Sequence, residues 1–228
     1  MIRNIFIIIL LAGFSFILTR NYIEYREPTG LGVAAERYAS RELSELGAQN
    51  IVTAVVVTYR GLDTLGEVTV LFLTASILGF FLKRRRCYSG KPSSEILKTA
   101  SSLLLPFIIL LGVYIAMNGH LTPGGGFQSG AVLASGLLLI TLANPEKDGS
   151  LSLFSRIESF SGLAYVVVGL AGLILAGGFL DTTFAGLGVP GNLISAGAIP
   201  LVSVLIGMKV GAELSSMLVK MKNAEREE

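Results

Sequence analysis

Long apolar runs separated by short polar segments dominate the pattern of this chain. A run needs roughly 20 mostly apolar residues to cross about 30 Å of hydrocarbon. The pattern predicts an all-α integral membrane protein with about six transmembrane helices. The six predicted spans are Asn4–Leu18, Thr64–Leu82, Ser101–Met117, Gly125–Leu142, Phe160–Leu180 and Asn192–Leu218.

Composition supports the same class. Hydrophobic residues make up 52% of the chain and charged residues only 15%, and the mean hydropathy is +0.68. A water-soluble domain carries about 25% charged residues, so this is a bilayer composition. We therefore expect a multi-pass protein of the cytoplasmic membrane, surrounded by lipid. The first run is short and begins beside Arg3, as a signal peptide does, but no small-x-small cleavage pattern follows Leu18, which favours an uncleaved anchor.

The distribution of basic residues predicts the orientation. Cytoplasmic loops are enriched in Lys and Arg, and the segments Asn118–Gly124 and Asp181–Gly191 contain neither. The loop after the second span holds a cluster of basic residues and is therefore predicted to be cytoplasmic. Counting six spans outward from that loop places both termini on the cytoplasmic side as well. The segment Arg20–Gln49 carries mixed charges and is predicted to be an exposed outer connector, with a surface helix over Val33–Leu46. The cluster of basic residues after the second span comprises Lys83, Arg84, Arg85, Arg86, Lys91 and Lys98.

Several kinds of site are excluded. The single cysteine, Cys87, cannot form an internal disulfide or a multi-cysteine metal site. Basic residues form no stripe with aromatic residues, so nucleic acid is not an expected partner. The glycine run after Pro123 lacks the Lys-Ser/Thr of a phosphate loop, and the sequence predicts no organic cofactor in this chain.

Polar residues at the start of the second span are the first candidates for function. Arg60, Asp63 and Glu67 follow one another at steps of three and four, which places them on one helical face. A charge at the centre of a bilayer costs about 2.5–3.5 kcal/mol or more, so such residues are paired, hydrated or functional. A static Arg60–Asp63 pair explains Asp63 well and Glu67 less well. We expect Glu67 to relay a cation or proton, with Asp63 and Thr64 offering further oxygen ligands to Na⁺.

Two further candidates lie elsewhere. Lys209 and Glu213 are four residues apart in the last span, where they either pin the helix, with the lysine snorkelling to the interface, or take part in ion transfer. His120 lies in a predicted outer hairpin whose Pro123 and following glycines interrupt the helix before Ser129. It either caps the hairpin or passes protons at the outer surface. Small residues at four-residue spacing predict close helix packing in the fourth and last spans: Gly126, Gly130, Ala134, Ser203, Gly207, Gly211 and Ser215.

Two stretches resemble known families. The stretch Gly119–Gly130 (Gly-His-Leu-Thr-Pro-Gly-Gly-Gly-Phe-Gln-Ser-Gly) and the four spans after Leu97 resemble the B subunit of Mrp-type (Mnh-type) sodium/proton antiporters. The stretch Asn50–Glu67, ending in Arg-Gly-Leu-Asp-Thr-Leu-Gly-Glu, resembles the C-terminal tail of the large A subunit of these antiporters, with Leu62 in place of the usual aromatic residue. The resemblance implies a tail-like segment (1–86) with two spans and an MnhB-like domain (87–228) with four.

The resemblance also implies a role and partners. In that family the subunits assemble with proton-pumping subunits akin to those of respiratory complex I, and the acidic residue matching Glu67 is implicated in ion transfer. Related modules occur in membrane-bound hydrogenases and sulfur-reducing complexes, where the tail is separate from the large pumping subunit. We therefore expect a non-catalytic subunit that contributes to a sodium/proton path in a redox-linked complex.

Three alternatives stay open at this point. The chain could be a purely structural scaffold, with Asp63, Glu67 and Lys209 in static pairs. It could serve a stand-alone Mrp antiporter. A serine protease using Ser129 and His120 is a weaker alternative, since the chain has no second histidine.

Overall fold

The computed structural model of this chain describes residues 2–25, 30, 32–82, 93–144 and 151–224. Within that part of the chain all regular structure is helical, as predicted. The helices are α1 (Ile2–Glu24), α2 (Val33–Glu45), α3 (Ile51–Ala54), α4 (Gly61–Phe81), α5 (Glu95–Met117), α6 (Gly126–Ala143), α7 (Leu151–Leu175) and α8 (Ile199–Ala224). A π-helical turn, Val55–Tyr59, separates α3 from α4, and a 3₁₀ turn, Thr182–Ala185, precedes α8.

Six of these helices, α1 and α4 to α8, are long and apolar enough to cross a membrane, which confirms the predicted number of spans. The predicted surface helix corresponds to α2. Part of the predicted basic loop, and other residues named above, lie outside the described residues: Lys83, Arg84, Arg85, Arg86, Cys87 and Lys91. The predicted boundary between residues 86 and 87 lies there too.

The bounds of four spans differ from the sequence prediction by six residues or more at one end or both. Helix α1 ends at Glu24 instead of Leu18. Helix α5 begins at Glu95 because the Ser94 hydroxyl caps it, accepting the N–H of Leu97. Helix α7 begins at Leu151, since its first two turns carry charges that a hydropathy pattern rejects, and it ends at Leu175, before Gly177 with its positive φ of 85°. Helix α8 begins at Ile199 instead of Asn192.

The segment before α8 is irregular for a physical reason. Ala196 and Gly197 both adopt positive φ, near 60°, which a helix does not allow. The N–H of Ala196 instead donates to Leu187 O, and that of Ala198 to Thr182 O. Residues 192–198 therefore belong to the loop that covers this end of the bundle.

The chain forms two compact units, Met1–Arg37 and Tyr38–Glu228. The first contains α1, which ends in an Arg20–Glu24 ion pair. In the second, α8 is the central helix, and α4, α5, α6 and α7 all contact it. Most of the membrane-spanning part of α8 is buried. Helix α4, from the tail-like segment, therefore packs into the same unit as the four later spans.

Small residues allow α6 and α8 to approach closely, as their spacing predicted. A Cβ at Gly126 would lie 2.5 Å from Ile206 Cβ and 2.6 Å from the carbonyl oxygen of Ser203. A Cβ at Gly130 would lie 2.7 Å from Val210 Cβ. No side chain fits at these two positions without moving the helices apart.

Candidate functional site

The π-helical turn before α4 determines how the predicted acidic residues are presented. A π turn leaves a backbone carbonyl without its usual partner in the helix, and such turns often occur at functional sites. The Thr64 hydroxyl donates to Val56 O at 2.7 Å and so satisfies one such group. Thr64 is buried and therefore supports the break in the helix. Its predicted role as a Na⁺ ligand stays a prediction.

Arg60 and Asp63 form an exposed ion pair at the start of α4. Arg60 Nη2 lies 2.6 Å from Asp63 Oδ2, and Arg60 Nε donates to the same oxygen at 2.7 Å. The hydrogen bond and charge of Asp63 raise the pKa of Arg60 above its already high value. This is the static pair considered for Asp63 from the sequence.

Glu67 is placed differently. Its side chain is exposed on α4, and it has neither a hydrogen bond nor an ion pair with the residues that the structure describes. It lies at one end of an otherwise apolar groove of about 420 Å³ between α4, α6 and α8. Other residues lining this groove are Val70, Leu71, Thr74, Phe127, Ala131, Val210 and Leu214.

Gly66, beside Glu67, has no atom within 4 Å of the position that a Cβ would occupy. Glycine lets another backbone approach closely, but among the described residues none does so at Gly66. A carboxylate at membrane depth needs a partner or water. Within the unit Tyr38–Glu228, the surface around Glu67 and Gly66 is exposed.

The outer hairpin, residues 118–125, is docked against Asn50. The Asn50 amide donates from Nδ2 to Gly119 O at 2.8 Å and to Thr122 O at 2.9 Å. The backbone N–H groups of Gln49 and Asn50 donate to His120 O at 2.9 and 3.0 Å. Asn50 also caps α3, its Oδ1 accepting the N–H of Thr53. One side chain thus joins the two stretches that carry the family resemblances.

His120 is fully buried in this hairpin. Its Nε2 lies 3.3 Å from Asn192 O, and its Nδ1 has no hydrogen-bond partner among the described residues. Burial lowers the pKa of His120, although backbone contacts with Asn192 and Met117 oppose that shift. A buried, neutral imidazole favours the hairpin-capping interpretation over proton transfer at the outer surface.

The protease alternative gains no support from this geometry. The buried Ser129 hydroxyl donates to Gly126 O at 2.8 Å. The His120 side chain contacts the backbone of Asn192 instead of a serine hydroxyl. The contacts within the described residues therefore do not join Ser129 to His120 as nucleophile and base.

Lys209 and Glu213 form a buried ion pair on α8. Lys209 Nζ lies 2.6 Å from Glu213 Oε1, and the two side chains are 13% and 0% exposed. Lys209 is ten residues from the start of the span Ile199–Lys222 and thirteen from its end. It is therefore near the middle of the helix, which is too deep for snorkelling, one of the two alternatives that the sequence left open.

The predicted residues thus fall into three separate places. Arg60, Asp63 and Glu67 share one end of α4, Lys209 and Glu213 lie in the middle of α8, and His120 lies in the hairpin. Across residues 2–25, 30, 32–82, 93–144 and 151–224, no group of three or more His, Cys, Asp and Glu side chains is arranged to hold a metal ion. Na⁺ binding at Asp63 and Glu67 stays a prediction.

Sequence reasoning missed three residues that matter here. Asn50 was named only as the first residue of a family resemblance. Its structural role could not be predicted, because the hairpin carbonyls that it contacts are about 70 residues away in the sequence. Tyr165 is buried and donates to Gly61 O at 3.2 Å, which joins α7 to the start of α4. Glu158 on α7 is half-buried one turn before Gly162, whose Cβ position lies 3.5 Å from Lys209 Nζ. Glu158 carried no signal in the sequence, because the hydropathy pattern placed the start of this span at Phe160, two residues after it.

Comparison with known families confirms both resemblances. Residues 96–216 match the family described as "Domain related to MnhB subunit of Na+/H+ antiporter". Residues 3–101 match the MbhE family, which is described as the E subunit of MBH.

Individual relatives point the same way. A chain in the structure of the membrane-bound sulfane sulfur reductase, an archaeal respiratory membrane complex, is 39% identical, with a TM-score of 0.80 over 97% of this chain and 98% of that one. An uncharacterised protein of Methanocaldococcus jannaschii is 30% identical over 73% of this chain and 74% of its own. The B subunit of the Na⁺/H⁺ antiporter of Bacillus subtilis is 34% identical over 38% of this chain and 54% of its own.

Proposed function

Because the chain belongs to the family of domains related to the MnhB subunit of Na⁺/H⁺ antiporters, we propose that it is a non-catalytic, multi-pass membrane subunit of a multisubunit cation/proton antiporter module. The observation that carries the proposal is the end-to-end likeness to a chain of the sulfane sulfur reductase complex. That likeness includes the tail-like segment as well as the MnhB-related domain. It favours a redox-linked respiratory complex over a stand-alone antiporter.

Within such a complex, Glu67 is the residue of this chain that best suits ion transfer. It is a carboxylate about two turns into α4, at membrane depth, on a surface that the described residues of its unit leave exposed. Its neighbour Asp63 already has a partner in Arg60, whereas Glu67 has none among the described side chains. A partner subunit or water then completes its surroundings. Na⁺ is the proposed cargo, and the inner side of the membrane is the proposed location of both termini.

The first test is sodium-dependent proton transport by the whole complex in sealed vesicles. We expect Glu67→Gln to abolish transport, because glutamine keeps the shape of the side chain but neither binds a proton nor carries a charge. Assembly is checked on a blue-native gel. Glu95→Gln is the matched control, since Glu95 is an exposed carboxylate in the first turn of α5 and we expect it to leave transport unchanged.

The scaffold alternative makes the opposite prediction. If Glu67→Gln assembles and transports like the wild type, the ion path lies in other subunits and this chain only holds them together. The stand-alone alternative is tested by purifying the tagged chain from membranes and identifying its partners. Antiporter subunits without any redox subunit would favour it over the complex proposed here.

A further inference from the structure

The Lys209–Glu213 pair is unusual for a static contact. Glu213 Oε1 accepts the Lys209 ammonium at 2.6 Å, but the other carboxylate oxygen, Oε2, is buried without any hydrogen-bond partner among the described residues. A carboxylate that is buried for structural reasons normally has both oxygens satisfied, because each unpaired lone pair retains its desolvation cost. An unpaired, buried oxygen is a place where a proton can bind.

The surroundings of Lys209 allow it more than one partner. Its Nζ lies 5.3 Å from the ring centroid of Phe72 on α4, within cation–π range. On α7, a Cβ at Gly162 would lie 3.5 Å from the same Nζ. Glycine at this position leaves the ammonium room along α7. Glu158 lies one turn before Gly162 on the same face of that helix.

The helices packed against the pair differ in the charges they carry. On α7, Glu158 is half-buried one turn before Gly162, whose Cβ position neighbours the Lys209 ammonium, whereas Arg156 is exposed and bonds Ser152 O. The charged residues of α4, Asp63 and Glu67, lie in its first two turns and are exposed. Helix α6 contains no charged residue, and those of α5, Glu95 and Lys98, lie in its first turn. Glu158 is therefore the carboxylate of a neighbouring helix that is placed to serve as a second partner of Lys209.

We propose that Glu213 and Lys209 form a second proton-binding site in the middle of α8, with Glu158 as the alternative partner of the lysine. A proton adds to Glu213 Oε2 and forms an O–H bond, so the carboxylate becomes a neutral carboxylic acid. The ionic contact with Lys209 breaks, and the ammonium, which keeps its protons, pairs with Glu158. Loss of the proton restores the original pair, and no electrons are transferred.

The ligand at this site is a proton and not a metal cation. The Lys209 ammonium occupies the position next to Glu213 and repels a second cation. A hard cation also takes several oxygen ligands, whereas Glu213 offers one free oxygen. The site thus supplies a proton step beside the cation chemistry assigned to Glu67, and this inference rests on the proposed transport function.

Infrared difference spectroscopy of the purified complex, titrated between acidic and alkaline pH, tests proton binding directly. We expect the wild type to show the carbonyl stretch of a protonated carboxylic acid that is missing in Glu213→Gln and present in Glu95→Gln. An identical spectrum in Glu213→Gln overturns the proposal. The measurement does not depend on transport, so it decides this inference even if the wild-type complex transports no sodium and the proposed function fails.

A second test separates proton binding from simple packing. Replacing a buried ion pair by apolar residues of similar volume is often neutral for stability, so the double variant Lys209→Met, Glu213→Leu is expected to assemble. Its proton transport is expected to fall on the order of a hundredfold, the lower end of what a positioned proton-transferring side chain contributes. Glu158→Gln, at a half-buried position, is expected to reduce transport with assembly intact. Transport at the wild-type rate in either variant overturns the proposal.

Discussion

Asn50 connects parts of the chain that are far apart in sequence. Its amide nitrogen holds two carbonyls of the outer hairpin, Gly119 O and Thr122 O, and its amide oxygen caps α3. These two roles can be separated chemically, because an aspartate keeps the capping oxygen and loses the donor.

We therefore expect Asn50→Asp to destabilise the chain by about 1–3 kcal/mol, since it leaves two hairpin carbonyls unsatisfied and places a negative charge against them. The measurement is the unfolding temperature of the detergent-solubilised complex. Asn21→Asp on α1 is the control, because among the described residues the Asn21 amide donates to the carbonyl one turn before it, Ile17 O, and to no other group. Equal unfolding temperatures for Asn50→Asp and the wild type would contradict this role.

For single residues, the sequence predicted which side chains pair within one helix better than it predicted their contacts with other helices. Residue type and spacing correctly joined Arg60 to Asp63 and Lys209 to Glu213, because partners three or four residues apart share a helical face. The depth of Lys209 in the membrane did not follow from the sequence, since it depends on the residue at which α8 begins. The free oxygen of Glu213 and the partners of His120 depend on other helices, which periodicity does not reveal.

Small residues decide how α6 and α8 pack. Gly126 faces Ile206 and Ser203 at distances that leave no space for a methyl group, whereas Gly13 on α1 has nothing within 4 Å of its Cβ position. We expect Gly126→Ala to cost about 1–3 kcal/mol through overpacking, and Gly13→Ala to be harmless or slightly stabilising through helix propensity. Thermal unfolding of the two variants in the assembled complex checks this contrast. Similar unfolding temperatures for the two would show that α6 and α8 tolerate separation.

The sequence predicted the existence of the helices well and their interruptions less well. Glycine and proline signalled the break before α6, but the π turn before α4 contains only Val55-Val-Val-Thr-Tyr59 and carries no such signal. One local and one long-range contact accompany that break. Thr64 bonds Val56 O eight residues before it, and the hydroxyls of Thr58 and Thr182 lie 2.9 Å apart across 124 residues of sequence.

For the whole molecule, the sequence predicted the six spans and the family from apolar run length and from two motifs. It could not show that α4 of the tail-like segment contacts the central helix α8. That contact includes a hydrogen bond from Lys220 Nζ to Ala75 O at 3.0 Å. The two stretches of different resemblance thus share one packed unit, which explains why a chain carrying both can fold around a single central helix.

The orientation of the chain in the membrane is a property of the whole molecule, and it was predicted only from the Lys and Arg content of the loops. Because Cys87 is the only cysteine in the sequence and follows the basic run in the predicted cytoplasmic loop, it can serve as a natural reporter of orientation. A membrane-impermeant maleimide is expected to label Cys87 only after the cells are opened. A Cys87→Ser, Val189→Cys variant is the matched control, since Val189 is 65% exposed in the loop before α8 and should react in intact cells. Labelling of Cys87 in intact cells would show that the topology is the reverse of the predicted one. Glu67 would then lie near the inner surface of the membrane instead of the outer one.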